Sequence, residues 1–203
     1  MIDVALLQLI RVKGLVNEAA IAAALGQSAD AVQAACAAAL SAGLLTTSPR
    51  GLRLTSAGRA RLAELIAQER AGLDTAALDA AYGDFCAVNE ELKAAIASWQ
   101  MRDEATPNDH TDPGYDAAVI ERLAAVDARA APILARLAVL APRLGGYGRR
   151  LSAALERVLA GDHGYVARPI LDSYHTVWFE LHEDLIAMTG RTRAAEAAAG
   201  RGA

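Results

Sequence analysis

At 203 residues the chain exceeds the commonest domain size, so one large domain or two modest ones are expected. Apolar residues make up 54% of it but aromatics only 4%; the difference is alanine, the strongest helix former, and predicts a helical protein. A net charge of −4 by itself argues against a strongly nucleic-acid-binding chain. No window approaches a membrane span, and Met1 to Val12 lacks a secretory leader's basic start and cleavage-type ending, so a cytoplasmic protein is expected.

Val4, Leu6, Leu7 and Ile10 lie at helical spacing in the first segment, which Gly14 ends. Asn17 caps a short second helix to Leu25, and Gly26-Gln27-Ser28 forms a tight turn. Ser28 then caps a third helix that runs to about Ala42 before Gly43 stops it. Two short helices about a Gly-containing turn make a helix-turn-helix. Leu44-Leu45-Thr46-Thr47 and Leu52-Arg53-Leu54-Thr55 read as strands joined by Ser48-Pro49-Arg50-Gly51, a small β-hairpin wing. Thr55 or Ser56 caps a helix to about Arg70. Residues 1–72 carry seven basic side chains against five acidic ones, a net of +2, and the other 131 residues a net of −6. That asymmetry suits a weakly basic contact module on an acidic body.

Gly43-Leu44-Leu45, followed by Gly51-Leu52-Arg53-Leu54-Thr55-Ser56-Ala57-Gly58-Arg59, resembles the wing of the MarR-type winged-helix regulators. The resemblance covers about a third of the chain. It implies a winged helix over residues 1–72 that sets its third helix in the major groove of double-stranded DNA and its wing against the backbone or minor groove. On this chain Ser28 and Gln33 are then the base-edge candidates. The third helix has no Lys or Arg and carries Asp30, so phosphate contacts fall to Arg50, Arg53 and Arg59. A winged helix that docks a protein and not DNA is the alternative.

Beyond Gly72, residues Leu78, Tyr82, Phe85, Asn89, Leu92, Ile96 and Trp99 alternate spacings of four and three, one inward stripe on a helix of about 28 residues. Asn89 is its odd member: a polar amide on a core stripe marks an internal hydrogen bond or a cavity wall. Glu104 to Asp112 reads as a loop, after which Asp112 caps a helix with Pro113 at its first position. Val119 to Leu140 gives that helix a second stripe, interrupted by Pro132 as an expected kink. A further helix starts near Pro142 and ends at Gly161-Asp162-His163-Gly164, with Gly145-Gly146-Tyr147-Gly148 as a turn or loosened first turn. Cys36 and Cys86, without metal-ligand neighbours, read as reduced core residues.

The last long helix is expected from Ile170 to Thr189. At about 100° per residue its apolar arc includes Leu171, Tyr174, Val177, Trp178, Leu181 and Leu185, continued by His175, Phe179, His182 and Ile186. Asp172, Ser173, Thr176, Glu180, Glu183 and Asp184 fall on the opposite, solvent-facing arc. Four long stripes in all fit an all-helical bundle spanning 73–193, and 194–203 reads as a flexible tail. The segments 108–112 and 172–185 resemble ones that accompany such winged helices in actinobacterial proteins, some attached to phosphoenolpyruvate-utilising enzymes. That resemblance implies a linked sensory or accessory domain.

The chain is therefore expected to be mainly α: a winged helix-turn-helix domain followed by a helical bundle for ligand binding and dimerisation. The expected function is a homodimeric transcriptional regulator, with an effector pocket lined by Asn89, Trp99, His110, Tyr174, His175, Trp178 and His182. No cofactor is implied. His175 and His182 lie about 10.5 Å apart along a helix, too far to share one metal ion unless His110 joins them. A small enzyme using His175 or His182 as general base, completed by His110 or Asp112, is the further alternative.

Overall fold

The computed structural model describes residues 3–198. It divides into two compact units, one taking in the chain up to Leu73 together with Glu183–Gly190, the other Asp74–His182 together with the residues from Arg191 on. The sequence pattern places the division after Gly72 and keeps the last long helix whole in the second domain. The structure instead assigns the end of that helix to the first unit. Glu183 and Asp184 come with it, so the +2 of residues 1–72 is cancelled and the first unit's formal charges balance.

In the first unit α1 (Val4–Lys13), α2 (Glu18–Leu25) and α3 (Ala29–Ser41) precede a hairpin of β1 (Leu45–Ser48) and β2 (Gly51–Leu54), followed by α4 (Ser56–Ala71). The helix starts are capped where the sequence signals them. Asn17 Oδ1 accepts from the Ala20 N–H at 2.8 Å, Ser28 Oγ from Ala31 at 3.3 Å and Thr55 Oγ1 from Gly58 at 3.0 Å; each satisfies a donor that a helix start leaves open. In the hairpin Leu45 faces Leu54 and Ser48 faces Gly51, which leaves Pro49-Arg50 as the loop. Val16 and Leu52 exchange backbone hydrogen bonds of 3.1 and 2.8 Å, adding a third antiparallel segment between α1 and α2. The result is a winged helix-turn-helix over a core that includes Leu7, Ile10, Ile21, Val32, Cys36, Leu54 and Leu62.

Gly58 sits inside α4 but against the Leu44 carbonyl and the Leu54 side chain, and a Cβ there would collide with the carbonyl oxygen and crowd the Leu54 side chain. Replacing glycine by alanine in an ordinary helix gains up to about 1 kcal/mol. At this position Gly58→Ala is expected instead to destabilise the winged helix by about 1–3 kcal/mol, as over-packing does. Chemical denaturation followed by circular dichroism measures it.

The second unit contains α5 (Thr75–Gln100), α6 (Pro113–Leu140), α7 (Gly145–Leu159), the short α8 (Gly164–Ala167), the first part of α9 (Tyr174–Met188) and α10 (Arg193–Ala198). Every member of the α5 stripe from Leu78 to Trp99 is buried, Asn89 included. Asp112 caps α6, and Pro132 lies within that helix without ending it. Gly145–Gly148 forms the first turn of α7. No helix among the described residues is long and apolar enough to cross a membrane.

Three expectations for the C-terminal region are corrected. The last long helix begins at Tyr174 and not at Ile170, because Ile170 has φ of 74° and is fully exposed; a β-branched residue at positive φ cannot continue a right-handed helix. The presumed solvent arc is largely buried, with Ser173, Glu180 and Asp184 all at 2% exposure or less. Residues 194–198 of the expected tail are helical, and Glu196 there is buried and accepts the Tyr82 hydroxyl at 2.8 Å. Residues 199–203 lie outside the described residues.

Glu180 tolerates burial because Arg150 of α7 reaches it at 2.6 Å while its Nε holds Asp172 at 2.8 Å. Burial pushes the guanidinium's pKa down, but the hydrogen bond to Asp172 and the two carboxylate charges outweigh it, so the net shift is upward. Removing one partner of a buried pair leaves the other charge less well compensated, whereas removing both takes that charge out as well and leaves mainly a packing defect. Arg150→Met is therefore expected to cost about 3–5 kcal/mol, and Arg150→Met with Glu180→Leu clearly less. The comparison is made from urea midpoints of the two variants.

Candidate functional site

Two faces of the molecule correspond to the sequence-derived candidates. The first is the outward surface of the winged helix. On α3 the residues Val32, Cys36 and Ala39 are buried, so the exposed face consists of Ala31, Ala34, Ala37 and Ala38, with Asp30, Gln33 and Ser41 as its polar members. Ser28 is engaged in its capping bond, whereas Gln33 is free to project. Arg50 sits in the hairpin loop, Arg53 faces outward from β2 opposite Thr46, and Arg59 lies in the first turn of α4. All three are exposed, and none forms an ion pair among the described residues. By contrast Arg61 is paired with Glu64 at 2.9 Å, and Arg11 with Glu183 at 3.6 Å. Arg70, in the last turn of α4, is likewise exposed and without an ion pair among the described residues, so the available cations lie on the wing and on α4, and none on α3.

The second face is a cleft of about 190 Å³ between α5 and α9, lined among others by Asn89, Lys93, Ile96, His175, Trp178 and Phe179. Helical spacing explains its composition. Asn89, Lys93, Ile96 and Gln100 recur on one side of α5 at intervals of four, three and four, while His175, Trp178 and Phe179 share one side of α9. Trp178 Nε1 donates to Asn89 Oδ1 at 2.9 Å. An indole N–H is only a donor, so this bond fixes which end of the Asn89 amide faces it. The other end, Nδ2, has no hydrogen-bond partner among the described residues although Asn89 is 1% exposed. Leaving a buried donor unmade costs about 1–3 kcal/mol. His175 is half-buried, forms no hydrogen bond among the described residues, and is kept neutral by burial, which pushes its pKa down.

Of the seven residues expected to line one pocket, the structure brings Asn89, His175 and Trp178 together in this cleft and distributes the other four elsewhere. Tyr174 is fully buried and donates its hydroxyl to Asp127 at 3.0 Å. His182 is packed against Phe85, ring centroids 5.3 Å apart, and its Nε2 lies 3.3 Å from the Tyr82 hydroxyl. That hydroxyl gives its one proton to Glu196, so Nε2 is the donor in the bond to Tyr82. Trp99 and His110 form a separate group: their rings lie 4.4 Å apart, and His163 meets the same indole edge-on at 5.7 Å. His110, at φ of 58°, turns back so that Nδ1 meets Asp116 Oδ2 at 2.9 Å, and Asn108 holds the other oxygen at 2.8 Å.

This separation corrects the combined site. His110 does not join His175 and His182, neither as a third metal ligand nor as the partner of a general base. Asp112 is committed to capping α6 and to Arg102 at 3.4 Å. Among the described residues no group of three or more His, Cys, Asp or Glu side chains is arranged to hold a metal ion. Lys93 and Gln100 were not among the candidates, yet their four- and eleven-residue offsets from Asn89 place them on its side of α5.

The depressed His175 pKa has a consequence for stability. The unfolded chain takes up a proton near pH 6.5 and the folded chain only at lower pH, so between these values the unfolded state binds more protons. Stability should hold above about pH 6.5 and fall as the pH drops through the lowered folded value. Asp103, Asp109 and Asp112, held down chiefly by hydrogen bonds from Ala105, Thr111 and Tyr115 respectively, act only below about pH 3.9. Urea midpoints between pH 7.5 and 5 should therefore fall less in His175→Gln than in the parent protein; an identical fall would place the titration on another group. Compared with known protein families, curated proteins and solved structures, the chain matches none.

Proposed function

We propose that the protein is a ligand-responsive transcriptional regulator of MarR-like type, contacting double-stranded DNA through its winged helix and taking a small-molecule effector in the cleft between α5 and α9. The observation that carries the DNA half is the exposed, unpaired set of Arg50, Arg53 and Arg59 on a winged-helix frame. Phosphate contact supplies most non-specific affinity, and here the wing provides it. Gln33 is the α3 side chain suited to a base edge. α9 supplies His175, Trp178 and Phe179 to the cleft, and its continuation from Glu183 belongs to the first unit. Occupancy of the cleft then changes DNA affinity by linkage through one shared helix. A homodimer reading a pseudo-palindromic operator completes the proposal.

Fluorescence anisotropy with promoter-derived duplexes across a salt series tests it. Arg50→Glu with Arg53→Glu is expected to weaken binding at least tenfold and to flatten the salt dependence by about two units of slope. No binding by the parent protein at low salt would count against the proposal.

A second reading is favoured by one observation: the outward face of α3 is mostly alanine, carries Asp30 and no cation, and belongs to a unit whose formal charges balance. Such a face suits apolar docking of a protein. In that case the same double variant leaves partner binding unchanged, because the wing arginines are not part of it.

A further inference from the structure

We propose that a groove in the first unit, between α4 and the end of α9, binds an extended aliphatic dicarboxylate, a hydrocarbon chain with an acid at each end. The inference depends neither on the cleft between α5 and α9 nor on DNA binding, and it adds a second ligand class to the molecule.

The groove has a volume of about 340 Å³, within the range of small-molecule sites. One face of α4 runs along it. Leu62, Ala63, Ile66 and Ala67 line the groove from that helix at the spacing of a single stripe. Ala187 lines it from α9. These five side chains offer no hydrogen bond, so the middle of the groove suits a hydrocarbon chain.

Arg59 and Arg70 stand at the two ends of the stripe. Eleven residues make about three turns, so both side chains leave α4 within about 20° of the same face and about 16.5 Å apart along its axis. Both are exposed, and neither has an ion pair among the described residues. The Arg70 guanidinium lies over Gly190, in the space that a Cβ there would fill. Glycine at that position therefore seats the guanidinium beside the end of α9. The third arginine of the groove is already engaged. Arg11 Nε donates to Gln8 Oε1 at 3.0 Å, its Nη2 donates to the Glu183 carbonyl at 3.3 Å, and its Nη1 lies 3.6 Å from the Glu183 carboxylate. No carboxylate lines the groove among the described residues, so an anion entering it meets two unanswered cations and no facing acid.

A guanidinium holds a carboxylate through a planar two-pronged fork. Two forks at this separation, with hydrocarbon surface between them, favour an acid with two heads over one with a single head and the same length. Decanedioate fits the span. At the reach of an extended chain, about 3.5 Å for every three bonds, it sets its acids about 11 Å apart. A hydrogen bond of about 2.8 Å at each end extends this to the separation of the two arginines.

The test uses the full chain at pH 7.5, without DNA, and three probes of equal chain length: decanedioate, decanoate and decanediol. Calorimetry gives the affinities, and methyl resonances followed by nuclear magnetic resonance locate the site. Decanedioate is expected to bind at least about fivefold more tightly than decanoate, the upper end for one exposed ion pair, and more tightly still than decanediol. It should shift the methyl signals of Leu62, Ala63, Ile66, Ala67 and Ala187. Arg59→Gln and Arg70→Gln, both at exposed positions, should each bring decanedioate down to the affinity of decanoate and leave decanediol unchanged. Ala67→Phe, also at an exposed position, fills the groove and should exclude all three probes; circular dichroism checks that each variant folds as the parent does. Decanoate or decanediol binding as tightly as decanedioate overturns the proposal. So does either arginine variant without effect, a set of methyl shifts confined to other residues, or no binding of any probe. Because DNA is absent throughout, these outcomes bear on the groove alone and leave the regulator reading to its own test.

Discussion

One hydrogen bond organises the second unit's candidate site: the indole of Trp178 donating to the carbonyl of Asn89. Both residues are about 1% exposed, so neither polar group has water as an alternative. The bond ties α9 to α5 at the place where the cleft opens, and it sets the orientation of the Asn89 amide. Without it, Asn89 would be an ordinary buried liability on an apolar stripe. With it, half of the amide is satisfied and the orientation of the other half is fixed. Phe85, stacked on Trp178 at 4.7 Å, backs the indole so that the arrangement is rigid as well as polar.

The same logic of compensation runs through the rest of α9. A helix with Glu180, His182 and Asp184 all buried is not amphipathic in the usual sense, and such residues need counterparts from elsewhere in the chain. Arg150 answers Glu180, and Tyr82 answers His182 while also serving Glu196. Such groups are individually costly to bury, but together they specify one packing of the helices more narrowly than alanine-rich surfaces alone would. The composition makes this relevant, since alanine supplies helix propensity but little area with which to discriminate one helix arrangement from another.

Much of the fold was legible in the sequence because its signals are local. The caps at Asn17, Ser28, Thr55 and Asp112, the glycine stops and the four-three spacing of the α5 stripe depend on residues within a few positions of one another, and the structure places them accordingly. The burial of Glu180 was not legible, because its partner Arg150 lies thirty residues away, and a helical wheel contains no information about what other helices bring. His110 was misassigned for a related reason. Its composition-rich loop suggested availability, whereas a left-handed turn and the carboxylate of Asp116 direct the ring toward Trp99. The pair His175 and His182, treated alike by periodicity, differ because one meets a cleft and the other meets Phe85 and Tyr82.

The most direct test of this account is hydrogen exchange at the Trp178 indole, followed by nuclear magnetic resonance on the unliganded protein. If the bond to Asn89 fixes the site, that proton should exchange only through large-scale opening, as slowly as the most protected backbone amides of α5. Exchange within minutes at neutral pH, under conditions where those amides stay protected, would mean that the indole is not held and that the cleft has no fixed polar end.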